Sequence, residues 1–214
     1  MTAHRRLIRR TALAVTAGAA AFALAACGSD NGGHDTGSMN SGSSPSATAS
    51  AKAGAHNDQD VSFSTEMIQH HRQAVAMADL AASRASSPEV KDLATEIKGA
   101  QAPEIKTMSG WLASWGEEVP EDMSSAMPGM DHDMSSSMPG MMSSEDMAKL
   151  EKASGTGFDK MFLEMMVEHH EGAIMMAKAE KADGKQSPAV KLADDVITAQ
   201  TAEIEQMNKM LGKS

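Results

Sequence analysis

The chain has 214 residues, 41% of them hydrophobic, with 19 Lys and Arg against 29 Asp and Glu and a formal net charge of −10. That acidic balance argues against nucleic acid and against anionic lipid held by basic patches. A single cysteine excludes an intramolecular disulfide and a thiolate metal cluster. Aromatics are scarce, with no Tyr, whereas Met occurs 20 times, so a core must be built from Ala, Leu, Ile, Val and Met.

Residues 1–26 read as a targeting segment: Arg5, Arg6, Arg9 and Arg10 precede an apolar run from Thr11 to Ala26. Leu24-Ala25-Ala26-Cys27 resembles a bacterial lipobox, which makes Cys27 the expected lipidation site and mature N-terminus. An ordinary signal peptide that happens to hold a cysteine is the other reading. Cleavage leaves 15 basic against 29 acidic residues, a net charge of −14. Residues 27–59, rich in Gly, Ser, Asp and Ala, read as a flexible tether. No later stretch is apolar for long enough to span a bilayer. The expected location is the extracytoplasmic face of a bacterial cell membrane, held by the Cys27 lipid.

From residue 60 onward two segments align without a gap at an offset of 99. Phe63 falls on Phe162, Met77 on Met176, Gln101 on Gln200, Glu104 on Glu203, Met108 on Met207 and Leu112 on Leu211. In the first copy, Phe63, Met67, His70, Ala74, Met77 and Ala81 keep the three-four spacing of a helix seam, which stops near Ser86. Ser87-Pro88-Glu89 then reads as an N-cap, a proline at the first helical position and a first-turn acid. The helix that follows carries Val90, Leu93, Ile97, Gln101, Met108 and Leu112, with Pro103 expected to kink it.

Residues 116–144 form a long Met-rich loop, and Ser144-Glu145-Asp146 opens a short helix expected to end at Gly155. The second copy repeats the seam with Phe162, Met166, His169, Ala173 and Met176. Ser187-Pro188 is its expected cap, one position later than in the first copy. Hairpins at 60–115 and 145–214, each half apolar, must bury their faces against each other. The predicted fold is all-α: one domain, 60–214, a four-helix bundle of two repeated antiparallel helical hairpins with a long crossover.

The chemistry sits in the paired histidines, His70-His71 and His169-His170, at the same depth of both copies. Repeated apolar positions are explained by a core; paired histidines are not. Residues equidistant from a hairpin turn face each other, which sets Gln101 and Glu104 beside His70, and Gln200 and Glu203 beside His169. Met67 lies four before His71, and Met166 four before His170, on shared faces. A Met stripe at helical spacing is usually core filler, and a lone seam histidine is usually hydrogen-bonded in the core. The pairing, its repetition and the adjacent Met favour metal ligation instead.

The loop adds an independent signal. Met123, Met127, Met130, Met134, Met138, Met141, Met142 and Met147 fall within 25 residues around Asp131-His132-Asp133, where no core needs filling. Thioethers prefer Cu(I) or Ag(I), and imidazole suits both copper oxidation states. Zinc would favour Cys and calcium an all-oxygen set. Copper, Cu(I) above Cu(II), is the expected ion.

The segment Phe162 to Ala177, with Glu168-His169-His170-Glu171-Gly172 at its centre, resembles the signature of the family catalogued as domain of unknown function 305. Met138-Pro139-Gly140-Met141-Met142 and Gly157-Phe158-Asp159 also resemble it. The resemblance covers about residues 60–211 and implies a ferritin-like bundle and exported copper-binding proteins of the CopM type. It implies copper binding at Met67, His70, His71, Met77, Met166, His169, His170 and Met176. The first copy departs from the signature, with Arg72-Gln73 where the second has Glu171-Gly172.

Expected ligands therefore include these eight, with Glu104, Met108, Glu203 and Met207 from the facing helices and Met127, Met130, His132, Met134, Met138 and Met141 from the loop. The expected function is copper sequestration or transfer to donor or acceptor proteins, without catalysis. A carboxylate di-metal oxidase would need Glu-x-x-His pairs, but Glu66 precedes His70 by four and Glu164 precedes His169 by five. A structural or partner-binding lipoprotein with merely buried histidines is the remaining alternative.

Overall fold

Each helix begins where the sequence supplies a partner for its free N–H groups. α1 (Asp58–Arg84) opens with a capping box in which Asn57 accepts from the Asp60 N–H and Asp60 accepts from the Asn57 N–H. α2 (Pro88–Trp115) has Ser87 as N-cap and proline at its first position, and it ends at Gly116 with φ +82°. α3 (Ser144–Lys152) is capped by Ser143, and α4 (Gly155–Asp183) follows it after two residues. α5 (Ser187–Met210) closes the chain. These come from a computed structural model that describes residues 55–122 and 138–213. Among the described residues the fold is all-helical, with one isolated bridge between Ala85 and Gly155. No described helix is long and apolar enough to cross a membrane.

Two local expectations are corrected. The cap of α5 is Gln186, whose side chain accepts from the Ala189 N–H; Ser187 is the first helical residue and Pro188 the second. Both of those positions lack intrahelical N–H partners, so proline is tolerated at either. α2 and α5 consequently begin at the same 99-residue offset, with no shift between copies. Gly155 does not end α3; it starts α4 at φ +62°, after Ala153 has closed the shorter helix. α2 continues through Pro103 as one helix.

α1 packs along α2, α4 along α5, and the two hairpins meet through α1 and α4. That central contact is antiparallel. Asp60, at the start of α1, accepts from the Lys185 and Gln186 N–H groups (3.0 and 2.8 Å), which lie just beyond α4. Asp159, at the start of α4, accepts from the Ser86 and Ser87 N–H groups (2.9 and 3.0 Å) and from the Ser86 hydroxyl, just beyond α1. Asp60 and Asp159 are 99 residues apart, so each hairpin turn is tied down by the first turn of the other hairpin.

Two apolar clusters fill the interior. One gathers Ala74, Met77, Leu93 and Ile97 with Phe158, Phe162, Met166 and Met207. The other gathers Phe63, Met67, Met108 and Leu112 with Ala173, Met176 and Val196. Burying each large side chain contributes about 1.5–3 kcal/mol, which offsets the polar material held between the clusters.

Candidate metal centre

Between the two clusters lies a polar layer made by the middles of α1 and α4. His70, His71, His169 and His170 are all fully buried. The antiparallel α1–α4 contact brings His70 against His169, ring centroids 3.7 Å apart and planes tilted 43°. The two hairpins therefore meet in one polar layer.

It is the second histidine of each pair, not the first, that meets the glutamates of the facing helices. The Nε2–H of His71 donates to Glu104 Oε2 and that of His170 to Glu203 Oε2, each at 2.7 Å. Glu104 and Glu203, expected beside His70 and His169, are thereby held as acceptors that orient the following ring. His70 Nε2 instead donates to the carbonyl of Pro139 at 3.1 Å. His169 has no hydrogen-bond partner on either ring nitrogen, and Nδ1 of His70, His71 and His170 is also without one. The buried amides of Gln101 and Gln200 leave their oxygens unpartnered nearby in each hairpin.

Burial, reinforced by the neighbouring His71, pushes the His70 pKa down to about 3, the Pro139 hydrogen bond only partly opposing it. Burial and the facing His70 hold His169 well below the ordinary imidazole value. Both rings are neutral at pH 7, the form that can donate a lone pair to an ion. A buried polar atom without a partner costs about 1–3 kcal/mol, so a concentration of them in one layer needs a chemical reason.

Met67 and Met108 border the layer on one side, Met166 and Met207 on the other, and all four are fully buried. Met77 and Met176 sit apart from it: each is seven residues beyond its histidine, about 10 Å along the axis, inside opposite apolar clusters. Among the described residues no group of three or more His, Cys, Asp or Glu is gathered so that it could hold an ion. That holds for the four histidines as well as for the carboxylates, so an ion in the layer would need thioether donors beside imidazole. Neutral, soft donors of that kind fit a monovalent soft metal.

Of the expected loop ligands, Met138 and Met141 are half-buried beside Pro139. Met127, Met130, His132 and Met134 lie outside the described residues, as do Cys27, the 1–26 leader and most of the tether. Sequence reasoning missed Arg72 and Gln73 as anchors. The Arg72 guanidinium donates to the carbonyls of Pro120 and Glu121 (both 2.8 Å), where the crossover leaves α2. Gln73 exchanges two hydrogen bonds with the Met142 backbone (2.9 and 2.7 Å), where the crossover returns. Their departure from Glu171-Gly172 was the available signal. Asp60 and Asp159 were likewise readable as a repeated pair.

The sequence model of a family described as a domain of unknown function, DUF305, matches residues 60–211. The chain belongs to the DUF305 family. Among solved structures, a DUF305 protein from Streptomyces coelicolor is 30% identical with a TM-score of 0.63, covering 72% of this chain and 93% of that one. A DUF305 fragment from Deinococcus radiodurans is 27% identical with a TM-score of 0.64, covering 74% and 99%. CopM in its Cu(I)-bound form is 34% identical with a TM-score of 0.57, covering 71% and 94%, and CopM has also been solved with Cu(II) and with Ag. A search of curated proteins gave no match.

Proposed function

We propose that this DUF305 protein is a membrane-tethered, extracytoplasmic copper binder that sequesters Cu(I) or hands it on, by coordination and not catalysis. The observation that carries the reading is the buried layer in which His70 faces His169 with unpartnered ring nitrogens, flanked by Met67, Met108, Met166 and Met207. The Cu(I), Cu(II) and Ag forms of CopM support it, as does the description of the Streptomyces coelicolor relative as secreted. The reading includes the architecture, a ferritin-like four-helix bundle whose two hairpins are repeats, and the lipid anchor at Cys27. Neutral imidazoles supply strong donors and thioethers supply the preference for Cu(I) over harder ions. Met138, Met141 and the loop methionines outside the described residues supply weaker, faster-exchanging contacts on the way in.

The test is a Cu(I) titration under reducing, anaerobic conditions against a chromophoric chelator. The protein is compared with a variant in which His70, His71, His169 and His170 are all Ala. Binding that collapses in the variant establishes the layer as the site. Equal binding in both moves the function to the Met-rich loop, and no competition from either removes copper altogether.

A further inference from the structure

The crossover returns to the bundle as a short turn, Met138 to Met142, closed by the Met141 N–H donating to the Met138 carbonyl at 3.3 Å. It is seated against both hairpins at once. On α4, Gly140 has φ +75°, and a Cβ there would lie 2.7 Å from the Glu168 carbonyl oxygen and 2.9 Å from the Gly172 Cα. A Cβ on Gly172 would in turn land on the Pro139 carbonyl. Two glycines are therefore needed for backbone to touch backbone here. On α1, Gln73 grips Met142 from both its amide oxygen and its amide nitrogen. Gln73 and Gly172 are counterparts at the 99-residue offset. One copy supplies an amide that holds the turn, and the other vacates the space that receives it.

The consequence falls on His70. Because the Pro139 carbonyl can only accept, the His70 ring must carry its proton on Nε2, and the lone pair is left on Nδ1. Glu104 and Glu203 impose the same tautomer on His71 and His170. Only His169 has neither nitrogen engaged. We propose that the Pro139–Gly140 turn is a positioning device, locked by Gln73 and Gly172, that makes Nδ1 the ligating atom of His70. With the glutamates it fixes three of the four rings and leaves His169 as the one adaptable donor. This rests on the soft-metal reading of the layer.

Long-range proton–nitrogen NMR on the metal-free, nitrogen-15-labelled protein reads the tautomers directly, and Ag(I), which is soft and redox-inert, is the binding probe. Wild type should show His70, His71 and His170 as Nε2–H. Gly172→Ala displaces the turn while improving α4's intrinsic helix propensity, and Gln73→Ala releases it without adding atoms. In both variants His70 should lose its single tautomer while His71 and His170 keep theirs. Ag(I) affinity should fall about tenfold, the lower end of what lost outer contacts cost a metal site. Wild-type His70 as Nδ1–H, or His70 unchanged in both variants, overturns the proposal. Tautomers that follow the turn in a wild type that binds no Ag(I) overturn the metal reading instead and leave the turn as a purely structural clamp.

Discussion

Replacing His169 with leucine should stabilise the metal-free protein while removing its response to metal. The imidazole is fully buried, lies against the His70 ring at 3.7 Å and has no partner on either nitrogen. Each such atom costs about 1–3 kcal/mol, and a leucine side chain buried in its place contributes about 1.5–3 kcal/mol. Imperfect repacking takes back about 1 kcal/mol. At the low end of these figures the expected net gain is about 2.5 kcal/mol, or about 5–10 °C in Tm for a folded unit of this size. The assay is urea unfolding of wild type and His169→Leu at pH 7 with metal chelated, repeated with excess Ag(I). Ag(I) should raise the wild-type midpoint by mass action and leave the variant nearly unmoved. A metal-free variant more than 1 kcal/mol less stable than wild type would mean that His169 is a satisfied structural residue, and the reasoning from unpartnered nitrogens would be wrong.

Metal-free stability should peak near pH 6.5. His70 and His169 resist protons that the unfolded chain takes up at about 6.5, so their stability contribution is present above that pH and is lost on acidification, at about 1.4 kcal/mol per pH unit for each. Glu180, fully buried at the far end of α4, is pushed up to about 8 by burial and by its contact with Asp60. A folded state that holds that proton loses stability as pH rises from 4.5 through 8, so Glu180→Gln should flatten the alkaline side in pH-dependent urea titrations. Asp159→Ala leaves the Ser86 and Ser87 N–H groups without their acceptor and should cost about 2–4 kcal/mol by chemical denaturation. Arg72→Ala should shift stability by under about 1 kcal/mol yet speed limited proteolysis in 116–122, because it frees the Pro120 carbonyl and leaves the Glu121 carbonyl only the long bond from Gln69. Unchanged cleavage would mean that Arg72 does not anchor that segment.

The hairpins were legible because the seam periodicity and caps are local. Ser87 announces its helix through a hydrogen bond that spans three residues, whereas the caps Asn57 and Ser143 went unread, the latter one residue before the expected opening at Ser144. Gln186 misled because its amide caps as well as a serine hydroxyl does, while the neighbouring Ser187-Pro188 carries the commoner pattern. The histidine pairs were legible as a recurring feature, but not as one buried layer, since the 99-residue spacing says nothing about how the two hairpins dock. Antiparallel α1 and α4 bring His70 onto His169 and rotate His71 and His170 toward the glutamates instead. Met77 and Met176 share the apolar clusters with Met67, Met108, Met166 and Met207, and what sets them apart is two turns of axial rise from His70 and His169. Pro139 was beyond reach: its role is played by a carbonyl, which side-chain patterns do not encode.

In the proposed function the ion sits in the layer, bound by imidazole together with thioether. Copper K-edge X-ray absorption on the protein loaded with one equivalent of Cu(I) tests it directly, with His70→Ala/His169→Ala alongside. Nitrogen and sulfur neighbours with the multiple-scattering pattern of imidazole are expected, and that pattern should be lost in the double variant. Sulfur-only coordination, unchanged by the two substitutions, would contradict it and place the ion among methionines outside the layer.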